Sequence, residues 1–402
     1  MKQLLLSFLV SFSSFVYSQQ NGKEELNNAS TPAMSPMINN SFGNSQHKEM
    51  SDSIDYPLEQ NKSKERDAPL SKKATVRSDV SNVKQNSINQ KKLTFSNAKV
   101  AANSQNKQRT PSEQQQQIMD QQVKELGDID SNSFEYNLLY YSSGNYEVAR
   151  EKALKRAENI SPNNQEVLKF CAANSIVKGD TINAKKYLNK IKEQGLIQVE
   201  SIDYTQDLLY SSPENSTIIT HGYSDSYGAY FNQLNNSIDK NKTVISLDFL
   251  QSAAYRKLLQ KKGFKIPNQN TVDVAYLKSF CALNTNKNLY LSMTIPKEYF
   301  EPIQNNIFVS GLLFEYNSKS NQATAYHWLD NLWYEKMNKR VLNNYNSTMS
   351  YSLGMNYLPM LIYLQEFHKL DDDQTKYNQL TQEIIKIKKK AGFNKISSKK
   401  SE

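Results

Sequence analysis

Residues 216–250, STIITHGYSDSYGAYFNQLNNSIDKNKTVISLDFL, decide the fold. Thr217–Thr220 is a short β-branched run, and such side chains fit a pleated, buried strand. Asp225 to Ile238 then puts Tyr227, Tyr230, Phe231 and Leu234 on one face at helical spacing. Thr243–Leu247 is a second β-branched strand. A helix between two strands of one sheet makes their pairing parallel. The loop after the first strand, His221-Gly222-Tyr223-Ser224-Asp225, lies where open α/β sheets build ligand sites.

Downstream, helices are expected over Ser252–Lys262, stopped by Gly263, and over Thr271–Leu283. Asn288–Ile295 and Ile307–Tyr316 read as two further strands. Residues 214–320 are therefore expected to form a small three-layer α/β domain with three to four strands. From Thr324 the chain turns helical: Trp328, Leu329, Leu332, Trp333 and Met337 follow a helical period. Tyr351–His368 and Asp373–Ala391, closed by Gly392, complete a helical end over 324–393.

Upstream, residues 130–211 carry a repeat. Gly144 aligns with Gly179, Tyr146 with Thr181 and Ala149 with Ala184, each at an offset of 35 residues. Gly144-Asn145 and Gly179-Asp180 suit tight turns between antiparallel helices, Ala149 and Ala184 suit helix crossings, and Pro162 suits a helix end. The pattern resembles tetratricopeptide repeats, whose period is ~34 residues. A further helix is expected from Val199 to Tyr210, stopped by Pro213.

Residues 19–128 are dominated by Asn, Gln, Ser and Lys, including the run Gln114–Gln117. Such a composition buries too little apolar surface to offset its conformational entropy, so a disordered arm is expected. Met1-Lys2, the apolar run Leu4–Val16 and the small residue Ser18 read as a secretory signal peptide over 1–18. No later run approaches the ~20 apolar residues of a spanning helix. The formal charge is +9, and seven lysines against one acid in 384–402 supply +6 of it. That excess, which includes the basic tail 394–402, argues against a nucleic-acid surface, which needs basic residues on a folded face. Weak contact of the tail with anionic lipid or glycan is the partner it suggests. Cys171 and Cys281 are either a disulfide or two buried thiols, and neither sits at metal-ligand spacing.

The chemistry reads as follows. His221 and Asp225 are candidates for a general-base pair, and Asp248, ending the adjacent strand, could converge on the same crevice. Gly222, Tyr223 and Tyr227 are the candidate ligand-binding residues, the two rings offering a stacking surface for a sugar. The competing reading has Asp225 and Asp248 capping helices. No metal or cofactor is implied. No P-loop, GxSxG or GxGxxG motif is present.

The stretch from Asp203 to Asn317 is similar to a soluble region of bacterial multi-spanning, protein O-mannosyltransferase-like membrane proteins. That family's loop usually reads NGDNDT followed by an aromatic residue. Here Gly222, Asp225 and Tyr227 match, whereas His221 and Tyr223 depart from it. The membrane part that would handle a lipid-linked sugar has no counterpart here. The resemblance therefore implies a fold, not transferase activity.

The fold class expected is α+α/β: tetratricopeptide-like helical repeats packed with the α/β domain, behind a long disordered arm. The expected function is an exported scaffold or adaptor that binds bacterial envelope proteins through its helical repeats. The periplasm is the first expectation for its location, with outer-membrane association or secretion as alternatives. The alternative function is an envelope glycan-binding module, or a glycan-related enzyme, using the 220–227 loop.

Overall fold

Residues 72–105, 108–317 and 322–392 are described by a computed structural model. The expected signal peptide over 1–18, the first part of the arm and the tail 394–402 lie outside them. Helix dominates, with one small mixed sheet.

The expectation of disorder up to residue 128 is corrected from residue 72 onward. Lys72–Gln105 (α1) and Glu113–Asp130 (α2) are helices packed on each other. Polar composition hides a sparse apolar stripe: Met119, Val123 and Leu126 recur at helical spacing and are buried, as is Phe95 opposite. Ser112 and Gln115 form a reciprocal capping box that starts α2. Within the glutamine run, the Gln116 amide donates to the Ser143 carbonyl at 2.9 Å and accepts from Asn145 at 3.0 Å. Lys91 pairs with Glu125, and Lys84 with Asp130 at 3.5 Å, so part of the arm's charge is neutralised within the pair.

Two helical hairpins follow. Phe134–Ser142 (α3) packs on Glu151–Ile160 (α4), and Gln165–Lys178 (α5) packs on Thr181–Glu193 (α6). Asn164 caps α5 by accepting from the Glu166 and Val167 amides. Gly179 ends it at φ +76°, which lets the Asp180 amide reach Ser175 O at 2.8 Å. Asp180 then caps α6. The first turn is longer. Asn145 and Tyr146 take left-handed backbone, and a 3₁₀ turn, Val148–Arg150, precedes α4. This corrects the role given to Ala149, which is exposed in that turn. Ala153 and Ala157 fill the crossing instead, while Ala184 is buried as expected.

Val199–Tyr210 (α7) leads into the sheet, whose strands are Thr217–Thr220 (β1), Thr243–Ser246 (β2), Leu289–Ser292 (β3), Ile307–Ser310 (β4) and Leu313–Tyr316 (β5). The order is β2-β1-β3-β5-β4; β1 is parallel to both neighbours, and β3-β5 and β5-β4 are antiparallel. Central β1 is buried throughout. Removing each of its fully buried isoleucines, Ile218 and Ile219, from water is worth ~2 kcal/mol. The single strand expected over Ile307–Tyr316 is a hairpin, because Gly311 at φ +62° reverses the chain.

Tyr223–Leu234 (α8) crosses from β1 to β2. It ends four residues short of Ile238, since Ser237 and Asp239 adopt left-handed backbone. Ala253–Lys261 (α9) and Val274–Leu283 (α10) carry the chain from β2 to β3 on the far side of β1. Right-handed crossovers in opposite directions place α8 and the α9–α10 pair on opposite faces of the sheet.

At the C-terminal end, Gln322–Asn331 (α11) runs into a π-helical turn, Leu332–Lys336, followed by Arg340–Asn343 (α12). The helix expected over Tyr351–His368 divides into Thr348–Met355 (α13) and Leu358–Leu370 (α14), where Pro359 starts the second. Gln374–Lys390 (α15) packs back on α14. One hydrophobic core runs from Leu138 to Ile387 and joins hairpins, sheet and terminal helices.

Asp207 ties that end to α7. Its carboxylate accepts from the Asn338 and Lys339 amides at 2.8 and 3.0 Å and from the Tyr357 hydroxyl at 2.8 Å. Burial, aided by neighbouring Asp203, pushes its carboxyl up to about 6 despite those bonds. A folded-state value above the unfolded one means the native state holds the proton more tightly. The stabilisation is fully present below the unfolded value of ~3.9 and is lost as pH rises through about 6. A shift of about two units corresponds to ~3 kcal/mol. Urea unfolding between pH 4 and 7.5 should show wild type gaining more stability on acidification than Asp207→Asn; parallel curves would refute the linkage.

Candidate functional site

The carboxyl ends of β1, β2 and β3 meet where the strand order reverses, and the candidate residues gather there. Asp225 is fully buried in the first turn of α8. It accepts from the backbone amides of His221, Gly222 and Ser226, each at 2.8 Å, and from the Thr294 hydroxyl beyond β3 at 2.5 Å. Burial raises its carboxyl above the usual range against those four bonds. Its partner in His221 is thus the main chain, not the ring. The expected general-base pair does not form, and the bond to Thr294 closes the crevice between β1 and β3.

The His221 ring faces Arg109 instead, with Nε2 3.1 Å from a guanidinium nitrogen. Arginine only donates, so Nε2 accepts and the ring proton sits on Nδ1. Burial, reinforced by the nearby guanidinium, holds the imidazole pKa well below its ordinary value, so the ring is neutral. The same Arg109 pairs through Nε with Asp248 at the end of β2. Burial opposes the Arg109 charge, but the Asp248 carboxylate outweighs it and the guanidinium stays protonated. Asp248 stands at the N-cap position of the 3₁₀ turn Phe249–Gln251, but its side chain makes no capping hydrogen bond there.

Arg109 belongs to the segment expected to be disordered, and the composition reading missed it. It reaches the sheet because Gln108–Thr110 pairs with Val272–Asp273. The Arg109 amide donates to Val272 O at 2.6 Å, the Val272 amide donates to Thr110 Oγ1 at 2.9 Å, and Gln108 bridges Asp273 in antiparallel fashion. One sequence signal pointed that way: Pro111-Ser112 followed by Gln115, a helix-start signature that a disordered arm has no use for.

Neither tyrosine offers a stacking platform. Tyr223 and Tyr227 pack against each other with centroids 4.3 Å apart, the Lys169 ammonium lies over the Tyr223 ring at 5.1 Å, and the Tyr227 hydroxyl donates to Lys169 O at 2.9 Å. Gly222 is the N-cap of α8. Behind them the hydroxyls of Thr220, Ser226 and Ser246 form a buried chain of hydrogen bonds. The site therefore holds an ion-paired carboxylate, a neutral imidazole whose free nitrogen is engaged, and no exposed nucleophile. It is arranged to hold a guanidinium.

Elsewhere, a cleft of about 590 Å³ lies against the π-helical turn, lined by His327, Asp330, Tyr334, Asp373 and Lys376. Its central carboxylate, Asp330, already accepts from His368 at 2.9 Å and Lys376 at 2.8 Å. Among the described residues no cluster of three or more His, Cys, Asp or Glu could hold a metal, and no helix is long and apolar enough to cross a membrane. Cys171 and Cys281 are free, which corrects the disulfide alternative. Cys171 sits beside Tyr187 and Glu158, Cys281 near Tyr316, and burial pushes both thiols up to about 12. No family model, curated protein or solved structure matches this chain.

Proposed function

We propose that this chain is an exported adaptor of the bacterial cell envelope, docking a partner protein on its tetratricopeptide-like hairpins. The observation that carries this reading is the outer surface of α4 and α6. The inner helix α5 is spent: nine of its fourteen residues are buried, and it packs against α9. The second helices keep an outward face, although α6 also packs on α8. They are linked by the Tyr187 hydroxyl, which donates to Glu158 at 2.7 Å. They expose Lys152, Lys155, Arg156, Lys185, Lys186 and Lys192, flanked by Ile160 and Ile182, which are 53% and 81% exposed.

A basic face with isolated apolar residues suits a partner with an acidic surface, since complementary charge steers encounter and fixes register. The leader over 1–18 supplies the route of export on this reading, and the lysine tail a weak attraction to anionic lipid or glycan. The glycan alternative at the 220–227 loop has no comparable support, because Arg109 already fills that crevice.

Crosslinking in envelope extracts tests the proposal. The tagged full chain should recover a partner that the triple variant Lys185→Glu, Lys186→Glu, Lys192→Glu recovers at least about tenfold less well, with salt weakening the wild-type complex. Equal recovery by the two proteins, with unchanged melting, would overturn the assignment of this face.

A further inference from the structure

We propose that the crevice at the carboxyl ends of β1 and β2 is a binding site for an arginine presented on a peptide, and that Gln108–Thr110 of this chain is its resident occupant. The segment is held as a peptide ligand is held. Its backbone pairs with Val272–Asp273 in the manner of an added strand, with the Arg109 amide and the Thr110 hydroxyl as the contacts. The chain bends at Arg109 and Thr110, and Pro111 leads into Ser112, the N-cap of α2.

The side chain supplies selectivity. Asp248 takes the guanidinium through Nε and His221 takes a terminal nitrogen, two acceptors set for a planar fork. A lysine ammonium is a point charge on a flexible stem and does not match that geometry. The wall holds a further polar group. The Tyr299 hydroxyl is buried without a hydrogen-bond partner, on a residue 1% exposed, and the charges of both Arg109 and Asp248 act on it. Its oxygen can accept a hydrogen bond from a guanidinium.

The occupant is also separable. Phe95, Ala98, Met119 and Val123 of α1 and α2 form a small apolar cluster of their own, which packs on Tyr136, Leu139 and Tyr140 of α3 rather than on the sheet. The strap can leave without opening the sheet. A tethered ligand acts at an effective concentration in the millimolar range, so the cis segment excludes a free peptide unless the competitor binds better or the cis arginine is removed. This site is distinct from the α4/α6 face, and the two proposals stand or fall separately.

The test uses the full chain and an N-acetylated, dye-labelled peptide of residues 108–114. Arg109→Ala should bind this peptide at least about tenfold more tightly than wild type does. The same peptide with lysine in the arginine position should lose about tenfold, as should Asp248→Asn introduced alongside Arg109→Ala. A folded Arg109→Ala protein that ignores the peptide, or takes the lysine form equally well, overturns the proposal. Should Arg109→Ala fail to fold, hydrogen exchange on wild type decides. Excess arginine peptide should speed exchange in α1 and α2 while the lysine peptide does not, and no difference between the two refutes the site.

Discussion

Asp225→Ala is expected to cost about 4 kcal/mol of folding stability. The carboxylate is the common acceptor for three backbone amides in the buried turn between β1 and α8 and for the Thr294 hydroxyl beyond β3. Each buried donor left without a partner costs ~1–3 kcal/mol. Against that sum stands the cost of burying the carboxylate itself, which the raised pKa reflects. The balance stays well on the destabilising side, because alanine supplies no acceptor for the four donors. Asp225→Asn keeps one acceptor oxygen and should fall between alanine and wild type. Urea denaturation measures both. An alanine variant within 1 kcal/mol of wild type would mean that the turn does not depend on this residue.

Gly311→Ala is expected to cost about 3 kcal/mol, against about 1 kcal/mol for the control Gly195→Ala. Both glycines have positive φ, +62° and +70°, so both variants carry the ~1 kcal/mol left-handed penalty. They differ in what a Cβ would meet. At Gly195 there is nothing within 4 Å. At Gly311 the new carbon would run into the Ser211 hydroxyl, with Ser211 Cβ at 2.6 Å and Leu332 Cδ2 at 2.8 Å. Overpacking of that kind adds ~1–3 kcal/mol. Ser211 cannot simply step aside. Its hydroxyl receives the Leu312 amide at 2.9 Å and donates to Asp207 O at 2.8 Å, and its carbonyl receives the Ser310 hydroxyl. Thermal melts of the two variants check the difference, and equal losses would show that the close approach has no energetic consequence.

Much of the fold is legible from local pattern. β1 and α7 fall where β-branching and apolar spacing put them, and the parallel pairing of β1 with β2 follows from the helix between them. Local chemistry that was present but unread explains several misses. Gly311 divides one apparent strand into a hairpin, and Pro359 starts a new helix inside an apparent single one. The candidate site was legible only as a place. The spacing of His221 and Asp225 says that they are close, but not that the carboxylate turns to the main chain while the ring turns to Arg109. Composition led the arm astray for a different reason. Its few buried apolar residues, Ile88, Phe95, Ala98, Met119, Val123 and Leu126, are outnumbered by amides and lysines that find partners only once the fold exists.

The strap at Gln108–Thr110 sets the order in which this chain must complete itself. Arg109 meets His221, Asp248 and the Val272 neighbourhood across separations of 112, 139 and about 160 residues. A ribosome adds ~5–20 residues per second, so the arm emerges well before its receptor has been made. Closing so long a loop costs entropy that only the finished sheet repays. The contacts of the Gln108–Thr110 strap are thus among the last to settle, after the helices on either side of it have formed.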